Sequence, residues 1–301
     1  MDGIICINKP KDFTSFDVIA KMRGISKQRK IGHAGTLDPM ATGVLPLLFG
    51  TATKACDIMP DSNKTYVAGF KLGVTTNTQD MTGEVIAEKS ADGISEDFIE
   101  NHLSAFCGEI EQIPPMFSAV QVNGQRLYDL ARQGVEVKRE PRKVTITDIQ
   151  LIDYSQAQCT GTLEISCTRG TYIRTIIHDL GQSLGCGAAM TELVRTKSGQ
   201  FALSDCITLE QAQKLSDSGM LESVLMPTDK AFAVYPEIVL NEIQTRMFKC
   251  GVKLDTRRIR YDKGNGDYRI YGFDKSFIGM AHADCTEHEL KMTKSFFGQN
   301  R

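Results

Sequence analysis

Gly32-His33-Ala34-Gly35-Thr36-Leu37-Asp38-Pro39-Met40-Ala41-Thr42-Gly43-Val44-Leu45 is the stretch on which the fold of this chain turns. Glycines at 32, 35 and 43, with Gly50 beyond, mark a loop by composition, and they surround a single acid, Asp38. The proline after that acid presses it into extended backbone rather than helix. Leu37, Met40, Ala41, Val44 and Leu45 are apolar, so a carboxylate set among them is partly dehydrated. That favours its protonated form unless a cation stands beside it. Asp-Pro is also ordinary turn chemistry. By itself the stretch therefore reads as a stiff turn that carries one carboxylate.

Outward from the loop, the chain alternates short strands and helices. Ile4–Ile7 and Val44–Phe49 are apolar runs of strand length, and Tyr66–Leu72 is a third. Thr14-x-x-Asp17 predicts a helix cap, with Val18, Ile19 and Met22 on one face and Gly24 as the stop. Ser95 caps a second helix through Ile99, Leu103 and Phe106, closed by Gly108. A short helix is predicted over 126–132, and neighbouring strands over 144–154 and 162–168. The clearest helix opens at Gly170-Thr171: Ile173, Ile176, Ile177, Leu180 and Leu184 share one face, and Gly185 ends it. After Pro227 the texture becomes short β-like runs with turns such as Lys263-Gly264-Asn265-Gly266-Asp267. The expectation is an α+β fold of two parts: residues 1–226 with sequence-distant strands in one sheet, and a small β-rich module over 227–301.

Ser166-Cys167-Thr168-Arg169-Gly170-Thr171-Tyr172-Ile173-Arg174 runs from a strand into that strong helix. Tyr172 and Arg174 are displaced from its apolar stripe and can face a cleft. An arginine is the permanent cation that holds a half-buried carboxylate ionised, and a tyrosine offers a base a stacking face. The plain alternatives are a surface charge and a rim packing residue. Lys64-Thr65-Tyr66 is a weaker hint of the same kind, since most strand tyrosines simply pack. His33 suits either a hydrogen bond within the loop or a stack on a base.

The chain has 301 residues, 41% apolar and 24% charged, with net charge −2. That is ordinary for a globular protein with a real core. No apolar run approaches the ~18 residues of a membrane-spanning helix. The start, Met1-Asp2-Gly3-Ile4, lacks a signal peptide's positive charge, so a cytoplasmic location is expected. Nine cysteines, an odd and scattered set with no C-x-x-C pair, are expected to be reduced and mostly buried. Charge is uneven: residues 1–60 and 227–301 each carry +3, and 61–226 carry −8. A polyanion needs a basic surface only where it lies. Gly185-Cys186-Gly187 mimics part of a dinucleotide fingerprint but follows a helix, not a strand. No Walker A sequence, Gly-x-Ser-x-Gly elbow or metal-type histidine spacing is present.

The run Gly32–Leu45 closely resembles the signature of the TruB family of bacterial tRNA pseudouridine synthases. The likeness extends to Ile7-Asn8-Lys9-Pro10 with Thr14-Ser15, to Lys64-Thr65-Tyr66, and to Gln112-Ile113-Pro114-Pro115-Met116-Phe117-Ser118-Ala119. Arg126-Leu127-Tyr128 with Ala131-Arg132-x-Gly134, Arg169–Arg174 and Leu193-x-Arg195 follow in the family's order, covering residues 3 to about 205. Ala34, Asp12, Phe117 and Gln121 stand where the family usually has Thr, Gly, Tyr and Lys. None of these departures is expected to touch the acid, the tyrosines or the arginine, although Gln121 removes a possible RNA contact.

The resemblance implies a pseudouridine synthase catalytic domain, with a central mixed or antiparallel sheet flanked by helices, and a small PUA-like RNA-binding domain. It implies conversion of uridine 55 in the T arm of tRNA to pseudouridine, without cofactor or metal. Asp38 would be the catalytic nucleophile or base. Tyr66 would stack on the flipped base and help deprotonate it, Tyr172 and Arg174 would line the site with Arg174 paired to Asp38, Leu193 would be an apolar wall, and His33 would fill space in the opened T loop. It further implies a monomer that needs no protein partner. Three alternatives stand beside it: a tRNA-folding chaperone without catalysis, an unrelated metabolic isomerase or lyase, and a synthase with another RNA target, as in guide-RNA particles. Those last relatives carry longer C-terminal regions, so an end at Arg301 favours the stand-alone type.

Overall fold

The computed structural model describes all residues except 61, 62, 119, 123, 263 and 299–301. Ala119 of the Gln112–Ala119 motif and Lys263 of the 263–267 turn thus lie outside the described residues. The first part runs β1 (Gly3–Lys9), α1 (Ser15–Ser26), β2 (Thr42–Phe49), β3 (Lys64–Leu72), α2 (Glu96–Leu103), β4 (Gly108–Gln112), α3 (Leu127–Arg132), β5 (Arg142–Ser155), β6 (Thr160–Cys167), α4 (Ile173–Ser183), β7 (Ala188–Ser198) and α5 (Leu209–Asp217).

Its strands lie in the order β1-β2-β7-β3-β6-β5-β4, with short strands at Ile31–His33 on β2 and Phe201–Ala202 on β7. Every pair is antiparallel except β2 with β7. The expected α+β fold, with a mixed central sheet and flanking helices, is what forms. Strands β1 and β2 are buried on both faces, which is why they read as unbroken apolar runs. Ile5, Ile7, Leu45 and Leu47 meet Val18, Ile19 and Met22 of α1 and Ala212 of α5. Their alternates Ile4, Cys6, Val44 and Leu48 fill a second core on the other face. Under β7, β3 and β6, a third core joins Ala68, Phe70, Leu163 and Ile165 to Ile176, Ile177 and Leu180 of α4.

Three predicted helix ends move. Helix α2 ends at Leu103 and gives way to a 3-10 turn over Ser104–Phe106, short of the expected stop at Gly108. Thr14 and Asp17 form the expected capping box, but α1 runs through Gly24 and stops at Lys27, whose φ is +54°. The apolar stripe continues to buried Ile25. Burying that isoleucine is worth roughly 1.5–3 kcal/mol, more than the ~1 kcal/mol a helical glycine costs. Helix α4 begins at Ile173 rather than at Gly170-Thr171, with Tyr172 as its N-cap.

The second part runs β8 (Glu237–Val239), α6 (Glu242–Lys249), β9 (Leu254–Asp255), β10 (Gly266–Tyr271), β11 (Phe277–Asp284) and β12 (Glu289–Ser295). Its five-stranded sheet has the order β8-β10-β11-β12-β9, over a core of Ile238, Phe248, Ile270, Ile278 and Leu290. It is seated on the first part by phenylalanines: Phe296 lies 5.6 Å from Phe232 and 5.3 Å from Phe277, ring centre to ring centre. These pack with Ile4, Val44 and Leu48, and Lys54 Nζ donates across the seam to the Ser295 carbonyl at 3.0 Å.

The cysteines are free thiols, but the expectation that most are buried fails. Only Cys6, Cys167 and Cys186 are buried, while Cys107 and Cys250 are exposed. Cys107 follows the 3-10 turn after α2 and Cys250 caps α6, and both ends face solvent.

Candidate active site

Strand β7 between β2 and β3 brings the sequence-distant segments together. His33, Asp38, Tyr66, Tyr172, Arg174 and Leu193 all line one cavity of about 420 Å³. Each of the six residues picked from sequence is therefore at the same place, carried on the 33–41 loop, β3, the start of α4, and β7.

The Asp38 loop is held from both sides. The Ser15 hydroxyl accepts from Leu37 N at 2.9 Å and contacts the Leu37 carbonyl at 3.3 Å. Pro39 O accepts from Lys9 Nζ at 3.1 Å and from Asp12 N at 2.9 Å. Ala41 N donates to Asp38 O at 3.1 Å. Asp38 thus sits in a true turn, and the turn and the site are one structure. Leu37 and Ala41 are buried on either side, so the backbone is anchored while 38% of the Asp38 side chain stays exposed. Buried Lys9 also donates to the carbonyls of Pro10 and Phe13, at 2.9 and 2.5 Å. Burial pulls its ammonium down to about 8.

Arg174 is 5% exposed and uses its whole fork. Nε meets Asp38 Oδ2 at 2.9 Å and Asp80 Oδ2 at 3.8 Å, and the terminal nitrogens donate to the carbonyls of Thr78 at 3.1 Å and Phe117 at 2.9 Å. A bidentate-capable guanidinium so pinned fixes the carboxylate's direction. The Phe117 contact corrects the expectation that no departure from the family pattern touches the arginine. It runs through the backbone, which is why the side chain is free to vary. Asp12 likewise acts through its N–H, and its φ of +65° explains why a glycine suits that position; aspartate tolerates it better than most residues.

Tyr66 is buried on β3, and burial pushes its hydroxyl above the usual tyrosine range while the Arg195 charge pulls the other way. Tyr172 is fixed through its main chain: the Gln112 amide donates to Tyr172 O at 3.0 Å and accepts from Tyr172 N at 2.8 Å. Leu193 is buried and lines the cavity. His33 is half-buried, and burial, with Arg195 adding to it, lowers its pKa. Among the described residues its Nδ1 has no hydrogen-bond partner.

Four contributors escaped the sequence reading: Asp80, Gln112 as a clamp, Ser15 as a loop anchor and Arg195 as a buried cation. Asp80 is buried and accepts from Thr78 Oγ1 at 2.8 Å and Thr82 N at 3.0 Å. Its one trace in the sequence is an acid flanked by threonines, a common turn pattern.

A carboxylate paired to a buried arginine, in a cavity also lined by two tyrosines and a leucine, is the chemical centre that the fold assembles. Comparison with known proteins gives that centre its family. The model of the N-terminal domain of TruB family pseudouridylate synthases matches residues 23–173, and that of the tRNA pseudouridylate synthase B C-terminal domain matches 174–233. Proteins named tRNA pseudouridine synthase B are similar along almost the whole chain. The one from Clostridium tetani is 41% identical over 98% of this chain and 99% of its own. The one from Dehalococcoides mccartyi is 41% identical over 97% and 96%. Among solved structures, a chain of a Cbf5-Nop10-Gar1 complex has a TM-score of 0.73 at 26% identity, covering 99% of this chain and 86% of that one. This chain belongs to the TruB family of pseudouridylate synthases, and it is an isomerase.

Proposed function

We propose that the protein converts uridine 55 in the T arm of tRNA to pseudouridine, with Asp38 as the catalytic carboxylate. The observation that carries the reading is the Asp38–Arg174 pair at 2.9 Å in a cavity also lined by Tyr66, Tyr172, Leu193 and His33. The N1–C1′ bond breaks, uracil turns in the pocket, and a C5–C1′ bond forms. C5 loses a proton, N1 gains one, and nothing enters or leaves overall. Asp38 acts as nucleophile at C1′ or as base at the 2′ position. Tyr66 stacks on the base and helps to deprotonate it. Flipping the base costs a few kcal/mol of unstacking, which one or two aromatic contacts worth ~1–3 kcal/mol each can return.

Residues 1–226 form the catalytic part in this reading, and 227–301 a PUA-like part that holds RNA. Arg246, Arg257 and Arg258 on the second part are exposed, paired with Glu242 and Asp255, and two of them share the single carboxylate of Asp255, which leaves positive charge for phosphates. In this reading the chain works as a monomer in the cytoplasm. No helix among the described residues is long and apolar enough to cross a membrane.

The test is pseudouridine mapping by carbodiimide-stopped primer extension on an unmodified tRNA transcript. A stop at position 55 with the wild-type chain, and none with Asp38→Asn, is expected. Absence of the stop with wild type, or its persistence in the variant, would sink the reading.

A further inference from the structure

Among the described residues, Arg195 is the largest fully buried side chain, at 0% exposure. Arg174 pairs with two carboxylates; Arg195, among the described residues, pairs with none. Its partners are carbonyls of β2 and of the Asp38 loop: Nε donates to Val44 O at 2.7 Å, and the terminal nitrogens to Gly35 O at 3.0 Å and Thr36 O at 3.4 Å. A buried cation without an anion is costly, and neutral hydrogen bonds offset only part of that cost.

Its placement is specific. Arg195 faces Tyr66 across the antiparallel pair and Gly43 across the parallel one, so it sits under both the Asp38 loop and the base-facing tyrosine. A register shift follows it between 195 and 197, and bulges of this kind re-aim a side chain. The approach is close enough that a Cβ on Gly43 would fall 2.2 Å from Arg195 O. Gly35, at φ +85°, leaves room for the guanidinium.

We infer that Arg195 is a positioning residue for the isomerisation: from beneath, its guanidinium fixes the height of the Asp38 loop and sets a permanent positive charge against Tyr66. The inference rests on the proposed pseudouridine synthesis at this cavity. Arg195 reaches no solvent, so it acts on the rate of chemistry rather than on RNA binding. Titratable groups around it are Lys9 from β1, His33 from the loop, Tyr66 from β3, and Cys206 after β7.

Two variants test it: Arg195→Met, which keeps bulk without charge, and Arg195→Lys, which keeps charge without the fork. Single-turnover conversion, tRNA affinity and urea unfolding are measured for each from pH 6 to 9. Arg195→Met should slow conversion by about 10²-fold, the scale of a small misplacement of reacting groups, with tRNA affinity unchanged. Arg195→Lys should recover much of the rate at pH 6 and lose it as pH rises, because a lysine enclosed beside Lys9 sheds its proton where arginine does not. Wild type should lose less over the same range, since its arginine stays charged while Lys9, at about 8, titrates in both chains.

A purely structural role predicts that any loss follows stability and that the lysine variant gains no new pH dependence. That result overturns the inference, as does a methionine variant with wild-type rate. Should Arg195→Met fail to fold, the pH response of the lysine variant decides alone. If the wild-type chain makes no pseudouridine at position 55, it is the functional reading that fails, and this inference falls with it.

Discussion

The loop that carries Asp38 and the seam that seats the C-terminal sheet are both firmly anchored, and they are held by opposite means. Around the loop, Lys9, Ser15 and Arg195 donate to or accept from named backbone groups of residues 35–39 and 44. At the seam, Phe232, Phe277 and Phe296 pack on aliphatic side chains, with few polar stitches. Hydrogen bonds to fixed carbonyls are directional and specify a position within tenths of an ångström. Apolar packing is stabilising but tolerates exchange among residues of similar volume. The molecule spends its directional contacts where a carboxylate must point and its non-directional ones where two bodies need only stay together.

Breaking the polar side should cost the most. Arg174→Ala removes the cation between Asp38 and Asp80, and conversion should fall by at least ~10²-fold, the effect of losing one preorganised donor. Stability should fall by about 3 kcal/mol for the uncompensated buried charge, discounted because Asp38 is more than a third exposed. Single-turnover assays and urea melts read the two effects.

Phe296→Ala breaks the other side, with a stability loss of about 3 kcal/mol for the cavity left behind. Conversion per folded molecule at saturating tRNA should stay at the wild-type level. A large fall in that rate would erase the contrast between the regions. Phe296→Leu should sharpen it, by regaining most of the stability.

Gln112→Ala leaves the N–H and carbonyl of Tyr172 without their clamp. A loss of about 1–2 kcal/mol is expected from unpaired polar groups, with conversion slowed roughly tenfold and tRNA affinity little changed; rates at saturating tRNA against dissociation constants separate these.

The smallest effect concerns Lys9. Burial lowers its pKa to about 8 from 10.5, so between those values the unfolded chain holds a proton that the folded chain has released. Stability therefore rises with pH across that window. The rise should amount to about 1 kcal/mol, less than a full proton's linkage, because three carbonyl acceptors favour the ammonium. Paired urea melts of wild type and Lys9→Met at pH 8 and pH 10 check it, the variant lacking the rise.

What was legible in the sequence follows the same divide. Asp38, Tyr66 and Arg174 are ordinary when read singly, as a turn acid, a strand tyrosine and a surface charge; the ordered motifs around them are what marked them, with Pro39 and Gly43 fixing the backbone beside the acid. Strands and helices could be read where apolar periodicity was strong, as in α4. Asp80 was not legible, because an acid among threonines looks like any turn until the fold sets it beside Arg174. Gln112 was quoted as part of a motif, but its bond to Tyr172 joins residues 60 apart in sequence, which no local pattern encodes. The seam was the least visible, since Phe277 and Phe296 look like any strand phenylalanines.

Strand β7 is the last strand of the large sheet in the chain, apart from the short Phe201–Ala202 strand beside it, and yet it lies between β2 and β3. Until residues 188–198 are in place, the sheet is two half-sheets with facing raw edges, and Asp38 and Tyr66 belong to different halves. During synthesis on the ribosome, roughly the first three-fifths of the polypeptide emerges with its catalytic parts unassembled. The strand that supplies Leu193 and Arg195 is also the keystone that turns two fragments into an enzyme.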